Sequence, residues 1–300
     1  MLITFHCLFP HTDELRYTDH IQGVKKCLYS ASYLGYIFVE KLPVVKIGGS
    51  VEEAVKGEYT LDVVAILKEA WQITLKSRMA INLGLITCLI IGMLVTIIVS
   101  SQLGGIEVAI KDQQSATLLN IMVTLVVYPF IVGVEMMGVF HSIGIKTQPK
   151  LIFAFLKRGS WVAVSALLTS TLVTIGLTLL YLPGIFLAVA LSLVLPLVVE
   201  KKMSPLKAIS VSIQATRFQW FKIFAIYLLL ALAVLVSALP VVAAGASELG
   251  FIAIAFFLFC LAYIAPLFYN VKGILYREIF GLQMHKSAEQ TTSISDTFSA

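Results

Sequence analysis

The sequence predicts an all-α fold: a polytopic membrane protein with six transmembrane helices and amphipathic interfacial helices on the cytoplasmic side. Three observations predict it: the composition, the length of the uncharged runs and the side on which basic residues fall. Of the 300 residues, 59% are hydrophobic and 13% are charged, and the mean hydropathy is +0.93. A soluble chain carries about 25% charged residues. The composition therefore excludes a soluble globule.

Five uncharged runs supply the six predicted helices. They lie between Arg78 and Glu107, Asp112 and Glu135, Arg158 and Glu200, Lys222 and Glu248, and Glu248 and Lys272. About 20 helical residues cross the roughly 30 Å hydrocarbon core. The third run has 41 residues, so it crosses twice, and Leu182-Pro183-Gly184 is its predicted turn. The predicted spans are 80–102, 117–140, 161–181, 184–200, 221–244 and 249–275.

Nearly all flanking basic residues fall on one side of these spans. The predicted cytoplasmic set is Lys68, Lys76, Arg78, Lys146, Lys150, Lys157, Arg158, Lys201, Lys202, Lys207, Arg217, Lys222, Lys272, Arg277 and Lys286. On the other side Lys111 stands with Glu107, Asp112 and Glu248. Because basic residues near helix ends are retained in the cytoplasm, both termini are predicted to be cytoplasmic. The net charge of +5 then reflects topology and attraction to anionic lipid headgroups, and nucleic acid is not a predicted partner.

Amphipathic segments lead into three of the spans. In 61–79, apolar residues recur at three- and four-residue steps, and another face carries Asp62, Glu69 and Lys76. Ser204-Pro205 begins a second such helix, with Ser as cap and Pro as first helical residue, and a third follows Gln148-Pro149. The unit of amphipathic helix, span, outer loop and span thus occurs three times, which indicates a structural repeat. The alternative is that these are the amphipathic connecting loops of any polytopic protein.

Three parts of the chain are predicted: 1–58, a cytoplasmic N-terminal extension; 59–280, the six-helix transmembrane domain; and 281–300, a disordered cytoplasmic tail ending in Ser- and Thr-rich sequence. In the extension, 33–40 and 42–47 form either two strands or an unordered tail. Its possible metal ligands are His6, Cys7, His11, His20 and Cys27. Their spacing matches no zinc pattern, so no metal site is predicted.

Glu135 is the one acid well inside a predicted span. A charge at the centre of a membrane helix costs about 2.5 to 3.5 kcal/mol on insertion scales, so its side chain should face protein and find a partner or take up a proton. The second span runs inward, and Lys272 closes the sixth span on the same side, with Asn270 nearby. Glu135 and Lys272 are therefore the candidate intramembrane polar pair, with Arg158 as the second choice of partner. A structural ion pair, a proton or ligand site, and an unpaired snorkelling acid are the three interpretations.

One stretch carries a family resemblance. Residues 182–220 read LPGIFLAVALSLVLPLVVEKKMSPLKAISVSIQATRFQW, which resembles a group of bacterial membrane proteins that includes the YciC-like inner-membrane family and the membrane domain found beside glycerophosphodiester phosphodiesterases. Residues 65–78, AILKEAWQITLKSR, are similar to the helix that opens these proteins. The resemblance covers roughly 59–280 and implies a six-helix inner-membrane protein. It carries over no catalytic residue, because the chemistry of the phosphodiesterases belongs to a separate soluble domain.

The sequence contains no P-loop, no H-E-x-x-H, no G-x-S-x-G and no paired carboxylates within one span, so no catalytic, cofactor-binding or metal residue is predicted. The predicted function is that of a non-enzymatic inner-membrane protein, an accessory or envelope-supporting component. Its predicted partners are the lipid bilayer, anionic lipid headgroups, and a membrane protein or a second copy of the chain. The alternatives are a small transporter or lipid-handling protein, which kinking prolines inside four spans favour, and an intramembrane enzyme.

The predicted topology is tested with reporters that are active only in the periplasm. Fusions after Gln114 or Ser247 should give signal, and fusions after Lys202 or Ser287 should give none, because the latter two follow basic flanks. Signal from the Lys202 fusion would contradict the arrangement of spans.

Overall fold

The computed structural model describes residues 44–244 and 249–285. The chain divides into two compact units. Residues 46–282 contain every helix that is described, and the other unit takes in residues 1–45 and 283–300. The first predicted strand, at 33–40, the possible metal ligands of the extension and the Ser- and Thr-rich tail all lie outside the described residues.

The described elements are β1 (Val44–Ile47), α1 (Val51–Lys56), α2 (Val63–Gln102), α3 (Ile106–Lys111), α4 (Gln113–Ser142), two 3-10 helices (Pro149–Phe153 and Leu156–Arg158), α5 (Gly159–Leu179), α6 (Tyr181–Ala190), α7 (Val194–Glu200), α8 (Pro205–Thr216), a 3-10 turn (Arg217–Gln219), α9 (Trp220–Ala244), α10 (Gly250–Phe280) and β2 (Leu282–His285). Strands β1 and β2 pair in a two-stranded sheet. Residues 44–47 of the predicted strand at 42–47 are therefore in a strand. Its partner β2 comes from the start of the segment predicted to be disordered, which corrects the start of that tail.

Six helical segments are long and apolar enough to cross a membrane. They are Val63–Gln102, Gln113–Ser142, Pro149–Leu179, Tyr181–Glu200, Pro205–Ala244 and Gly250–Phe280. Large apolar side chains on these segments are exposed, as at Phe221, Val242 and Phe251, which suits a surface that faces lipid. The predicted fold class is confirmed: the chain is an integral membrane protein with six such helices.

Helix α2 joins two elements that were predicted separately. The amphipathic segment 61–79 and the span 80–102 form one 40-residue helix. It begins where Asp62 Oδ1 accepts hydrogen bonds from the backbone N–H groups of Val64 and Ala65, at 2.9 and 3.1 Å. No proline follows within the helix, so nothing in the backbone interrupts it at the predicted boundary.

The turn of the central hairpin lies earlier than predicted. Leu180 is extended, with φ −153° and ψ 128°, and α6 begins at Tyr181. Pro183 therefore occupies the first turn of α6, where a missing N–H costs no intrahelical hydrogen bond. Gly184 is explained by packing instead of reversal, because a Cβ there would collide with Leu177 of α5. The predicted fourth span is also interrupted, between Ala190 and Val194.

Of the other two amphipathic segments, one is an α-helix and one is not. Helix α8 has Pro205 as its first residue, as predicted, but the Ser204 side chain makes no capping hydrogen bond. The segment after Gln148 forms 3-10 helices. Its Ile152 is buried against Gly133 of α4, so closely that a Cβ on Gly133 would meet the Ile152 backbone.

A group of hydrogen bonds joins the residues just before α2 to the junction of α8 and α9. The Gln219 side-chain amide donates to the Tyr59 carbonyl, and its Oε1 accepts from the Leu61 N–H at 2.9 Å. Lys222 Nζ donates to the Leu61 carbonyl at 3.0 Å. The Tyr59 hydroxyl donates to the Ala215 carbonyl at 2.7 Å, and burial raises the pKa of Tyr59 to about 12. The two amphipathic entry segments are therefore joined to each other.

The tightest packing lies between the C-terminal halves of α4 and α10. Val132 to Val139 and Asn270 to Leu275 are buried throughout. Gly138 and Gly273 face each other, and a Cβ on either would meet backbone of the other helix. The two helices are parallel, because 138 lies beside 273 and 142 lies beside 277. Small residues at such a crossing let two membrane helices approach closely.

Gly138→Ala and Gly273→Ala should each lower the thermal stability of the purified protein in detergent. The added methyl group has no room, and overpacking of this kind costs about 1–3 kcal/mol. Gly92→Ala is the matched control, since its Cβ would lie 3.6 Å from Val127 Cγ2, an ordinary contact, and it should melt at or above the wild-type temperature. Equal melting of all three variants would refute the close crossing.

Candidate functional site

The candidate site is built on a shared feature of α4 and α10. Each helix contains an internal proline, Pro129 in α4 and Pro266 in α10. Six residues after each proline comes an ionisable residue, Glu135 in one helix and Lys272 in the other. Each helix also follows a 40-residue helical segment, Val63–Gln102 or Pro205–Ala244. The first and third predicted units of the repeat are thus alike in element lengths and in the placement of these residues.

The parallel packing of α4 and α10 brings Glu135 and Lys272 into contact. Lys272 Nζ is 2.6 Å from Glu135 Oε1. The exposed fractions of the two side chains are 8% and 6%, so solvent screens the charges very little. Glu135 Oε2 is buried and has no hydrogen-bond partner among the described residues. The structure therefore brings together the two residues of the candidate pair and leaves one carboxylate oxygen unused.

Asn270 is the centre of a second buried connection. Its Nδ2 donates to Thr74 Oγ1 of α2 at 2.9 Å, and its Oδ1 lies 3.1 Å from His141 Nδ1 of α4. His141 Nε2 lies 2.8 Å from the Thr147 hydroxyl. With Asn270 in this orientation, His141 must donate from Nδ1, and in its neutral form accept from Thr147 at Nε2. One chain of hydrogen bonds thus crosses from α2 through α10 and α4 to the loop after α4.

Arg277 also joins α2, α4 and α10, closer to the C-terminal ends of α4 and α10 than Asn270 does. Its guanidinium makes a two-pronged contact with Glu69 of α2, Nη1 to Oε1 at 2.7 Å and Nη2 to Oε2 at 3.0 Å. Nη1 also donates to the carbonyl of Ser142, one of the last four carbonyls of α4, which have no partner within the helix. Glu278 accepts from the guanidinium at 2.7 Å as well. Paired donors of fixed geometry make this contact stronger and more directional than a lysine contact.

Helix α7 is tied to α10 by Glu200. Glu200 Oε2 accepts from the Tyr276 hydroxyl at 2.8 Å and lies 3.1 Å from Lys201 Nζ. Lys201 Nζ also donates to the Gly281 carbonyl at 3.0 Å, just after α10 ends. All four polar connections therefore converge on the C-terminal half of α10.

Arg158, the second choice of partner for Glu135, is placed elsewhere. Its Nη1 donates to the Val198 carbonyl of α7 at 2.9 Å. In residues 44–244 and 249–285, no group of three or more His, Cys, Asp or Glu side chains is arranged to hold a metal ion.

Sequence reasoning missed Asn270 as a connecting residue, gave no role to His141 or Thr74, and counted Arg277 only among the flanking basic residues. Besides the depth of Glu135 in its span, the sequence contained a second indication of the Glu135–Lys272 pair, because each of the two residues follows a proline by six residues. Nothing in the local pattern marks Thr74 or His141, because their roles come from the way α2 and α4 meet α10.

The fold and these connections define an integral membrane protein whose buried charges join its helices. No family, curated protein or solved structure with which the chain was compared matches it. The resemblance of residues 182–220 to the YciC-like group therefore stays a prediction.

Replacing one member of the Glu135–Lys272 pair should be strongly destabilising. Glu135→Lys leaves two buried cations together, a loss of about 3–5 kcal/mol for a broken buried pair, and Lys272→Glu in the same chain should partly restore the melting temperature in detergent. The control is Glu107→Gln at the Glu107–Lys111 pair, which is 3.7 Å long with both side chains at least 80% exposed and should cost at most about 1 kcal/mol. Wild-type melting of Glu135→Gln together with no rescue in the exchanged pair would show that the contact is not structural.

Proposed function

We propose that this chain is a non-enzymatic inner-membrane protein of bacteria, an accessory or envelope-supporting component with both termini in the cytoplasm. One observation carries the proposal: the buried Glu135–Lys272 pair is a direct 2.6 Å contact between two packed helices. A transporter needs ionisable groups that face a shared cavity near mid-membrane. Here the ionisable groups bind each other across helix interfaces, which is the arrangement of a scaffold.

Two further features support the cellular setting of the proposal. The basic residues fall on one set of helix flanks, which under the positive-inside rule favours cytoplasmic termini. The resemblance of residues 182–220 and 65–78 to YciC-like proteins favours a bacterial inner membrane.

One observation favours a second candidate, a small transporter that moves protons. Glu135 Oε2 is buried without a hydrogen-bond partner among the described residues. A carboxylate oxygen in that state offers a place for a proton, and intramembrane acids often take part in proton relays.

The two candidate functions predict different results in proteoliposomes that contain a pH-sensitive dye and have an imposed pH gradient. A scaffold should leave the gradient as stable as in protein-free vesicles, and Glu135→Gln should change nothing. The scaffold proposal would be overturned if the pH gradient collapsed faster with wild type than without protein, if Glu135→Gln abolished that effect, and if the exposed-acid control Glu107→Gln kept it.

The proposed envelope-supporting role can be tested in cells with the Glu135 and Lys272 variants. Cells that lack the protein should take up more of a membrane-impermeant dye, and wild type should restore the barrier. The exchanged pair Glu135→Lys with Lys272→Glu should restore it more than Glu135→Lys alone, because it re-forms the helix contact without the original carboxylate position. Full restoration by the single variant would contradict a role that depends on this contact.

A further inference from the structure

A cavity of about 520 Å³ lies between the first half of α2 and the turn that follows α4. Its polar lining consists of Lys76, Ser77, His141, Lys146 and Thr147. Met79 and Ile145 are among its apolar lining residues. The cavity thus combines two ammonium groups and two hydroxyl groups with an apolar wall.

The way in which α4 ends creates this cavity. Gly144 has φ +81° and terminates the helix. Its N–H donates to the His141 carbonyl at 3.0 Å, and the Ile145 N–H donates to the Phe140 carbonyl at 3.0 Å, which is the Schellman arrangement of a helix C-terminus. Lys146 and Thr147 follow this helix end and line the cavity together with Lys76 of α2.

The two lysines are available to a ligand. Lys76 and Lys146 are exposed and make no hydrogen bond or ion pair with any other described residue. No acidic residue is among those that line the cavity in the part of the chain that the structure describes. The basic residues of the site are therefore uncompensated, and the chemistry that their two ammonium groups suit is a phosphate group.

An apolar stripe leads away from the cavity along α2. Met79 lines the cavity and is 68% exposed, and Leu83, Ile86 and Ile90 continue from it with exposed fractions of 48%, 53% and 51%. Steps of four, three and four residues place these side chains on one face of the helix. A ligand with a phosphate head and a long hydrocarbon chain fits both parts.

We propose that this cavity binds the phosphodiester headgroup of an anionic phospholipid, whose acyl chain lies along Met79, Leu83, Ile86 and Ile90. The Thr147 wall is positioned by His141, which Asn270 holds from α10 at 3.1 Å. Bound lipid therefore contacts a wall that is connected to the packed centre of the bundle, and ligand binding to the folded state alone stabilises it. The site is independent of the accessory role, because it rests on the cavity and not on the Glu135–Lys272 contact.

The test uses the full chain in detergent titrated with dioleoyl phosphatidylglycerol or dioleoyl phosphatidylcholine, with thermal melting and native mass spectrometry as readouts. Phosphatidylglycerol should raise the melting temperature and remain bound, and phosphatidylcholine should do so much less. Lys76→Gln with Lys146→Gln should weaken the apparent affinity for phosphatidylglycerol about tenfold or more, since each lysine near an anionic headgroup contributes to attraction. The control pair Lys157→Gln with Lys207→Gln removes the same charge from two exposed lysines outside the cavity and should bind as wild type does.

Three outcomes would overturn the proposal. Equal loss in the control pair would show that general surface charge, not the cavity, attracts the lipid. Equal stabilisation by glycerophosphoglycerol or inorganic phosphate would show a site for free phosphate without a place for the acyl chain. Unchanged binding in a folded Lys76→Gln, Lys146→Gln variant would place the lipid elsewhere.

Discussion

The close approach of α4 to α10 is the constraint on which the polar contacts between these two helices depend. At Gly138 and Gly273 the backbones meet without intervening side chains. Only at that separation does Lys272 reach Glu135 at 2.6 Å and Asn270 reach His141 at 3.1 Å. Hydrogen bonds weaken steeply beyond about 3.5 Å, so moving the helices apart by the width of a methyl group would lengthen several contacts at once. The two glycines therefore determine whether the hydrogen bonds and the ion pair between α4 and α10 can form.

Much of the fold could be predicted because a bilayer allows few solutions. Uncharged runs of sufficient length must be helices, and the six predicted spans correspond to the six apolar helical segments. The differences come from tertiary contacts that no local pattern encodes. Ile152 fits against Gly133 in a segment that forms 3-10 helices where an α-helix was predicted. Gly184 has no role in a turn, because it packs on Leu177. Similarly, the depth of Glu135 indicates a partner, but the connections of Thr74 and His141 require knowing which helices are neighbours.

The Glu135–Lys272 contact need not add net stability to the fold. Burying two charges costs several kcal/mol of lost solvation for each ion, and their attraction repays this only with good geometry and with the remaining polar atoms satisfied. The 2.6 Å contact provides the geometry, but Glu135 Oε2 lacks a partner among the described residues. The larger consequence appears when one partner is removed, since a single buried charge then has nothing to offset its cost. The pair is thus better understood as a constraint on which helices pack together.

The pairing of α4 with α10 is related to the similarity of the two helices. Pro129 and Pro266 set the same interval to Glu135 and Lys272, and parallel packing brings these residues to one level. Like charges at these two positions would leave both buried charges uncompensated, whereas the observed pairing of α4 with α10 buries opposite charges. Two helices that resemble each other in length and proline placement therefore differ at this position in the sign of the charge, and opposite signs are what their close packing requires.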